Sequence, residues 1–113
     1  MNTRRLRSRA PCAILILALA TAVTASAAPD GFRAMMDDAV ARMHAAMHVP
    51  FTGDADRDFA RMMIPHHQGA IDMALIELRY GKDERLKRLA QEIIVAQKQE
   101  IEVMHLALRE PPK

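Results

Sequence analysis

The chain of 113 residues has few of the residue types on which many functions depend. It contains one Cys, no Trp, one Tyr, three Phe and four Gly. A single Cys excludes an intramolecular disulfide and any zinc site built from several thiolates. So few aromatic side chains cannot form a stacking platform for single-stranded nucleic acid. The sequence also lacks a Gly-rich phosphate loop and a G-x-S-x-G turn, so we expect neither nucleic-acid binding nor an enzyme.

The excess of basic residues lies at the N-terminus. Residues 2–9 hold four Arg and no acid, residues 12–23 are apolar except for Thr21, and Ala25-Ser26-Ala27 follows. This order is typical of a secretory signal peptide that is cleaved after Ala27. The alternative is a membrane anchor, for which the apolar run is short, because a span needs roughly 20 residues. We therefore expect a periplasmic or otherwise extracytoplasmic protein that meets a membrane only through residues 1–27 during export.

Removal of residues 1–27 changes the composition of the chain. The remaining domain, residues 28–113, has 12 basic and 14 acidic residues, and Cys12 is gone. The formal charge falls from +2 for the whole chain to −2, so a polyanionic partner is no longer indicated. The domain retains eight Met and all five His. Thioether and imidazole donors are therefore what this domain has in abundance.

The apolar pattern predicts three helices and no strand. We expect helices over residues 32–48, 56–80 and 83–109, with Pro50 and Gly81 outside them and three Asp at positions 54, 56 and 58 capping the second. Pro65 falls inside the second helix and should kink it or mark a late start. The fold class predicted is all-α, a small antiparallel bundle of three helices. Whether dimerisation completes a larger bundle stays open.

The second helix carries the densest group of donors, in the string Met62-Met63-Ile64-Pro65-His66-His67 followed by Met73. Met62 and His66 are four residues apart, as are Met63 and His67, so each pair shares a face. A centre line of this helix is expected to be buried, and Met104 lies on the apolar face of the third helix. The centre line comprises Phe59, Met62, His66, Ala70 and Met73. Thioethers and imidazoles suit copper, although Met at helical spacing is also a common core residue.

Two smaller groups of residues accompany this string. The first helix ends with Met43, His44, Met47 and His48, which form either a second metal site or an amphipathic helix end with a solvent-facing His48. In the third helix, Gln97 and Glu100 interrupt the apolar face. Their side chains either hydrogen-bond to a metal-binding imidazole and orient it, or reach water at the edge of the bundle.

Two segments resemble the DUF305 family. The string from Asp56 to Ala74, with Met-Ile-Pro-His-His at its centre, resembles the central motif of the family, and the segment from Leu89 to Met104 resembles its second motif. The resemblance implies an exported, ferritin-like helical domain, and some members resemble periplasmic copper-binding proteins of copper tolerance. The matching donor positions are Met62, Met63, His66, His67, Met73 and Met104. We expect His66, His67, Met62 and Met73 to form one copper centre, with Met63 and Met104 completing or flanking it. Ala107 stands where the family often has Trp.

Together these observations predict a small exported protein that binds Cu(I) or Cu(II) and acts in copper buffering, tolerance or delivery. Copper ions, a second copy of the chain or a copper-transfer protein are the expected partners. The alternative is a Met-rich helical interaction module without a metal role.

Overall fold

The computed structural model describes residues 30–110. These residues form three helices, α1 (Asp30–Met47), α2 (Ala55–Tyr80) and α3 (Glu84–Arg109). No strand occurs between residues 30 and 110. The predicted fold class is therefore confirmed, and the predicted helix limits differ from those of the structure by two residues or fewer. The expected signal peptide at residues 1–27 lies outside the described residues.

Local sequence explains where α2 and α3 begin. The Asp54 carboxylate accepts a hydrogen bond from the N–H of Arg57 at 3.0 Å, and the Asp83 carboxylate accepts one from the N–H of Arg85 at 2.8 Å. Each Asp thereby satisfies a backbone donor that has no partner within its helix. The backbone of α2 stays helical through Pro65. Pro65 thus marks neither the start nor the end of the helix.

The loop between α1 and α2 is held by Asp58, in the first turn of α2. Its carboxylate accepts hydrogen bonds from the N–H of Thr52 at 2.8 Å, from the Thr52 hydroxyl at 2.8 Å and from the N–H of Gly53 at 3.0 Å. These bonds lower the pKa of Asp58 below its ordinary value, since they favour the ionised form. Gly53 has a φ of 91°, a left-handed conformation that glycine adopts readily. Asp58 therefore joins the loop to α2, whereas the sequence indicated only a helix cap.

The three helices form an open layer in which α2 is the middle helix. α2 contacts α1 on one side and α3 on the other, and within residues 30–110 α1 and α3 do not contact each other. α1 and α2 are antiparallel, because Arg42 pairs with Asp72 while Met35 lies against Tyr80. α2 and α3 are also antiparallel, because His67 bonds to Glu100 while Glu77 and Leu86 line one groove. Most buried apolar residues between positions 30 and 110 are Ala or Ile, and none of the large side chains there is fully buried.

This arrangement corrects the expected burial of the α2 centre line. Phe59 is 61% exposed and His66 is also exposed, whereas Ala60, Gly69, Ile71 and Ile76 on the flanks of α2 are buried. A middle helix in an open layer buries the two flanks that meet its neighbours, and its centre line faces outward. Along this line Phe59 and His66 are exposed, whereas Met62, Ala70 and Met73 are half-buried.

Candidate metal-binding site

A groove between the end of α1 and the first half of α2 collects four potential donors. His44, Met47 and His48 from α1 and the adjoining loop share its lining with Met62 of α2, and Val49 and Phe51 complete it. Its volume is about 350 Å³. His44 and His48 are exposed, whereas Met47 and Met62 are half-buried. The groove thus combines two imidazoles with two thioethers at a place that a small ion can reach from solvent.

The donors meet here because of local helix geometry and the loop. Residues three and four apart on a helix lie on one face, which brings His44 together with Met47 and with His48 just beyond the helix end. Asp58 fixes the loop that returns the chain to α2. One turn after Asp58, Met62 faces back toward α1. The structure therefore joins Met62 to the second cluster of the sequence, although spacing along the chain gave no sign of this association.

Met43, the remaining member of that cluster, lies against α2 where Gly69 leaves room for it. A Cβ atom built on Gly69 would lie only 2.5 Å from the Sδ atom of Met43. Met43 is half-buried and Gly69 is buried. Met43 therefore packs α1 against α2, and it does not line the groove that holds His44 and Met62.

His67 is held by two hydrogen-bonding groups. Its Nδ1 lies 2.8 Å from the backbone oxygen of Met63, and its Nε2 lies 2.7 Å from Oε2 of Glu100 on α3. A carbonyl oxygen only accepts, so Nδ1 donates to the backbone oxygen of Met63. The imidazole is half-buried at 12% exposure, while Glu100 is 56% exposed. Glu100 thus orients His67 across the α2–α3 contact.

The other predicted residues lie apart from the groove. His66 is exposed, with its ring centroid 5.9 Å from that of His67. Met73 lies in a different groove, between α2 and α3, and Met104 is buried at 7% exposure. Met62 and Met73 are eleven residues apart on one helix, hence separated by about 16 Å along its axis. The structure therefore does not bring them to a single point.

Gln97 carries an unusual feature on α3. Its Oε1 atom is buried, and no hydrogen-bond partner for it lies within residues 30–110. Gln97 stands one turn before Glu100, which bonds to His67. Among the same residues, no three side chains of His, Cys, Asp and Glu converge as a metal cluster. None of the three helices is both long and apolar enough to cross a membrane.

These features define the class of protein: a small all-α domain of three antiparallel helices that presents thioether and imidazole side chains on accessible surfaces. Comparison with protein families specifies this further. The model of the domain of unknown function DUF305 matches residues 17–108, and the chain belongs to this family.

A viral relative also matches part of the chain. Uncharacterized protein L153 of Acanthamoeba polyphaga mimivirus is 42% identical over 55 residues, which cover 49% of this chain and 36% of that protein. The matched segment thus spans about a third of the viral protein. Neither description names a ligand or an activity.

Proposed function

We propose that the protein binds copper, with the α1–α2 groove as its principal site. The observation that carries the proposal is that His44, Met47, His48 and Met62 line one cavity. Thioether sulfur is a soft ligand that favours Cu(I), and imidazole binds both oxidation states of copper. Hard cations such as Mg²⁺ and Ca²⁺ prefer oxygen ligands, which the lining side chains of this groove do not provide.

The groove suits reversible binding. Within the described residues, no hydrogen bond occupies the imidazole of His44 or His48, and both side chains are exposed. Their nitrogens are thus accessible to an ion, whereas both nitrogens of His67 are engaged. An ion held at the surface can pass to another protein by ligand exchange. We therefore favour buffering or delivery of copper, a binding role without catalysis.

The predicted centre on α2 remains a second candidate site. Met63, His66 and Met73 lie along the outward face of that helix, and His67 with Glu100 lies beside them. A copper ion at His67 would have to displace the contact between Nε2 and Glu100. The groove has no such competing contact, and for this reason we rank it first.

Competitive titration with Cu(I) under anaerobic conditions, against a chromogenic chelator, tests the proposal. Replacing Met62 by Leu removes one thioether with little change in volume. The substitution should weaken copper binding at least about tenfold, because even residues that only support a metal ligand commonly contribute that much to affinity. Met73→Leu is the matched control, being the same substitution on the same helix in the other groove, and it should leave the affinity unchanged.

The outcomes separate the two candidate sites. Copper affinity could instead be lowered by Met73→Leu, or by the double substitution His66→Ala and His67→Ala, and not by Met62→Leu. That result would assign the site to the outward face of α2. Absence of any Cu(I) or Cu(II) binding by the wild-type protein would refute a copper role altogether. A gain in thermal stability on addition of copper would support it, because a ligand that binds only the folded state stabilises that state.

We also propose that the protein is exported and acts outside the cytoplasm. The support is the order of Arg-rich, apolar and small residues in positions 2–27. Cell fractionation followed by N-terminal sequencing tests it, with Ala28 as the expected first residue. Recovery of the protein in the cytoplasm with residues 1–27 intact would contradict export.

A further inference from the structure

One outward face of the layer carries mainly apolar side chains along α2 and α3, with His66, Glu77 and Glu100 as its polar members. On α2 and α3 the residues of this face recur at alternating spacings of three and four, the repeat by which helices pack side by side. On α2 they are Phe59, Met63, His66, Ala70, Met73 and Glu77. On α3 they are Leu86, Leu89, Ile93, Ala96, Glu100, Val103 and Ala107. We call these two rows together the open face.

Apart from Glu100, which bonds to His67, the open face does not contain the residues that pack α3 against α2. The row of α3 that packs on α2 includes the buried Ala90 and Met104, whereas in the open-face row Leu86 is 51%, Leu89 49% and Val103 65% exposed. An apolar groove of about 290 Å³ runs between the two rows, with Met73 on one wall and Leu89 on the other. α3 therefore has two adjacent packing surfaces, and only one of them is used within the chain.

We propose that a second copy of this chain covers the open face, in an antiparallel pairing related by a two-fold axis. The size of the face supports this occupant. Two helices of 26 residues, each about 39 Å long and about 10 Å wide, present about 800 Å², which is what each partner contributes to a stable protein interface. A two-fold pairing also lets the same self-complementary surface serve both copies.

The charge along α3 supports the antiparallel orientation. In α3, residues 84–90 carry a formal charge of +2, whereas residues 97–109 are neutral because Lys98 and Arg109 balance Glu100 and Glu102. Antiparallel pairing of α3 with its copy keeps the two basic ends apart, whereas parallel pairing would place them together. The midpoint of the α3 row is Ala96, a small residue that lets two helix backbones approach.

Size-exclusion chromatography with light scattering, on metal-free protein in the presence of a chelator, tests this pairing over a range of concentrations. The mass should be twice that of one chain. Leu89→Glu places a charge within the interface, against Val103 of the other copy, and should raise the dissociation constant of the dimer at least about thirtyfold.

Leu75→Glu is the matched control. The side chain of Leu75 is 52% exposed, close to the value for Leu89. It lies two residues from Met73 and from Glu77, which are on the open face. Two residues correspond to about 200° around α2, so Leu75 lies on the opposite surface of the layer. It should leave the dimer intact. Circular dichroism checks that both variants remain helical. A wild-type monomer at every concentration, or equal disruption by both variants, would overturn the proposal and leave the face to another partner.

Cross-linking tests the orientation. Copies carrying Leu86→Cys should form disulfides with copies carrying Ala107→Cys when the two are mixed in a Cys12→Ser background, because antiparallel pairing brings the two ends of the α3 row together. Disulfides within each variant alone, without mixed ones, would show parallel pairing and refute the proposed arrangement. Since metal is absent from both experiments, their results are independent of copper binding.

Discussion

Gly69→Ala tests the close approach of α1 to α2 at Met43. The added Cβ would lie 2.5 Å from Sδ, 2.6 Å from Cγ and 2.7 Å from Cβ of Met43. Rotation of the Met43 side chain can move the sulfur, but Cβ is attached to the backbone of α1, so α1 itself must shift. Overpacking of this kind costs about 1–3 kcal/mol, whereas Ala in place of Gly gains about 1 kcal/mol of helix propensity. The clash should exceed the propensity gain.

The expected net loss is about 1 kcal/mol of unfolding free energy, or about 4–8 °C in Tm for a domain of this size. Urea unfolding followed by circular dichroism measures it. In a Met43→Ala background two of the three short contacts vanish, so the same substitution should cost less there than in the wild type. Stabilisation of the wild-type protein by Gly69→Ala would refute the close packing of α1 on α2. A shift of α1 should also weaken copper binding in the groove at its end.

Three further predictions follow from individual side chains. Asp58 has a lowered pKa in the folded state, so its contribution to stability is complete above about pH 4 and is lost as the pH falls through the folded value. Asp58→Asn should have a lower Tm than wild type at neutral pH, and its Tm should fall less steeply as the pH is lowered. Parallel curves of Tm against pH for the two proteins would contradict this role. Gln97→Met removes the buried unpaired Oε1 and should raise the free energy of unfolding of the metal-free protein by about 1 kcal/mol, as measured with urea. A lower free energy of unfolding in this variant would show that the oxygen has a partner. Met104→Ala should lower the free energy of unfolding by about 2–5 kcal/mol through the cavity it leaves, whereas Met104→Leu should lower it by less than about 1.5 kcal/mol. Met104→Leu should also retain the copper affinity of the wild type. Reduced copper affinity in this variant would make Met104 a ligand.

The helices could be predicted because their signals are local. Gly81 directly follows α2, Asp54 and Asp83 directly precede α2 and α3, and Pro50 lies three residues beyond the end of α1. The family could be predicted from short motifs, and the match over residues 17–108 confirms it. Each of these inferences depends on residues that are neighbours in the chain.

Burial could not be predicted in the same way, because periodicity shows which residues share a face but not which face a neighbouring helix covers. The centre line of α2 was expected to be buried, yet α1 and α3 contact its flanks and leave Phe59 exposed. For the same reason Met62 was assigned to a centre with Met73, and the structure places these two residues in separate grooves.

Some long-range contacts had signals that were present in the sequence. Glu100 on the apolar face of α3 was recognised as a polar exception, and the structure brings it to His67. Gly69 inside a long helix also signals a close approach of another element, because glycine is unfavourable there without such a reason. Its partner Met43 could not be inferred, since nothing in the spacing relates the two positions.

The hydrogen bonds of Asp58 also determine how the groove opens. Thr52 and Gly53 are exposed, yet their amide hydrogens are bonded to a carboxylate of the following helix, so they should exchange with solvent more slowly than other amides of the loop. The same loop connects His48 to the helix that carries Met62. Breaking the Asp58 bonds would separate these two walls without unfolding any helix. The lifetime of an ion in the groove would then be set by this local opening, and the exchange rate of the two amides would report it.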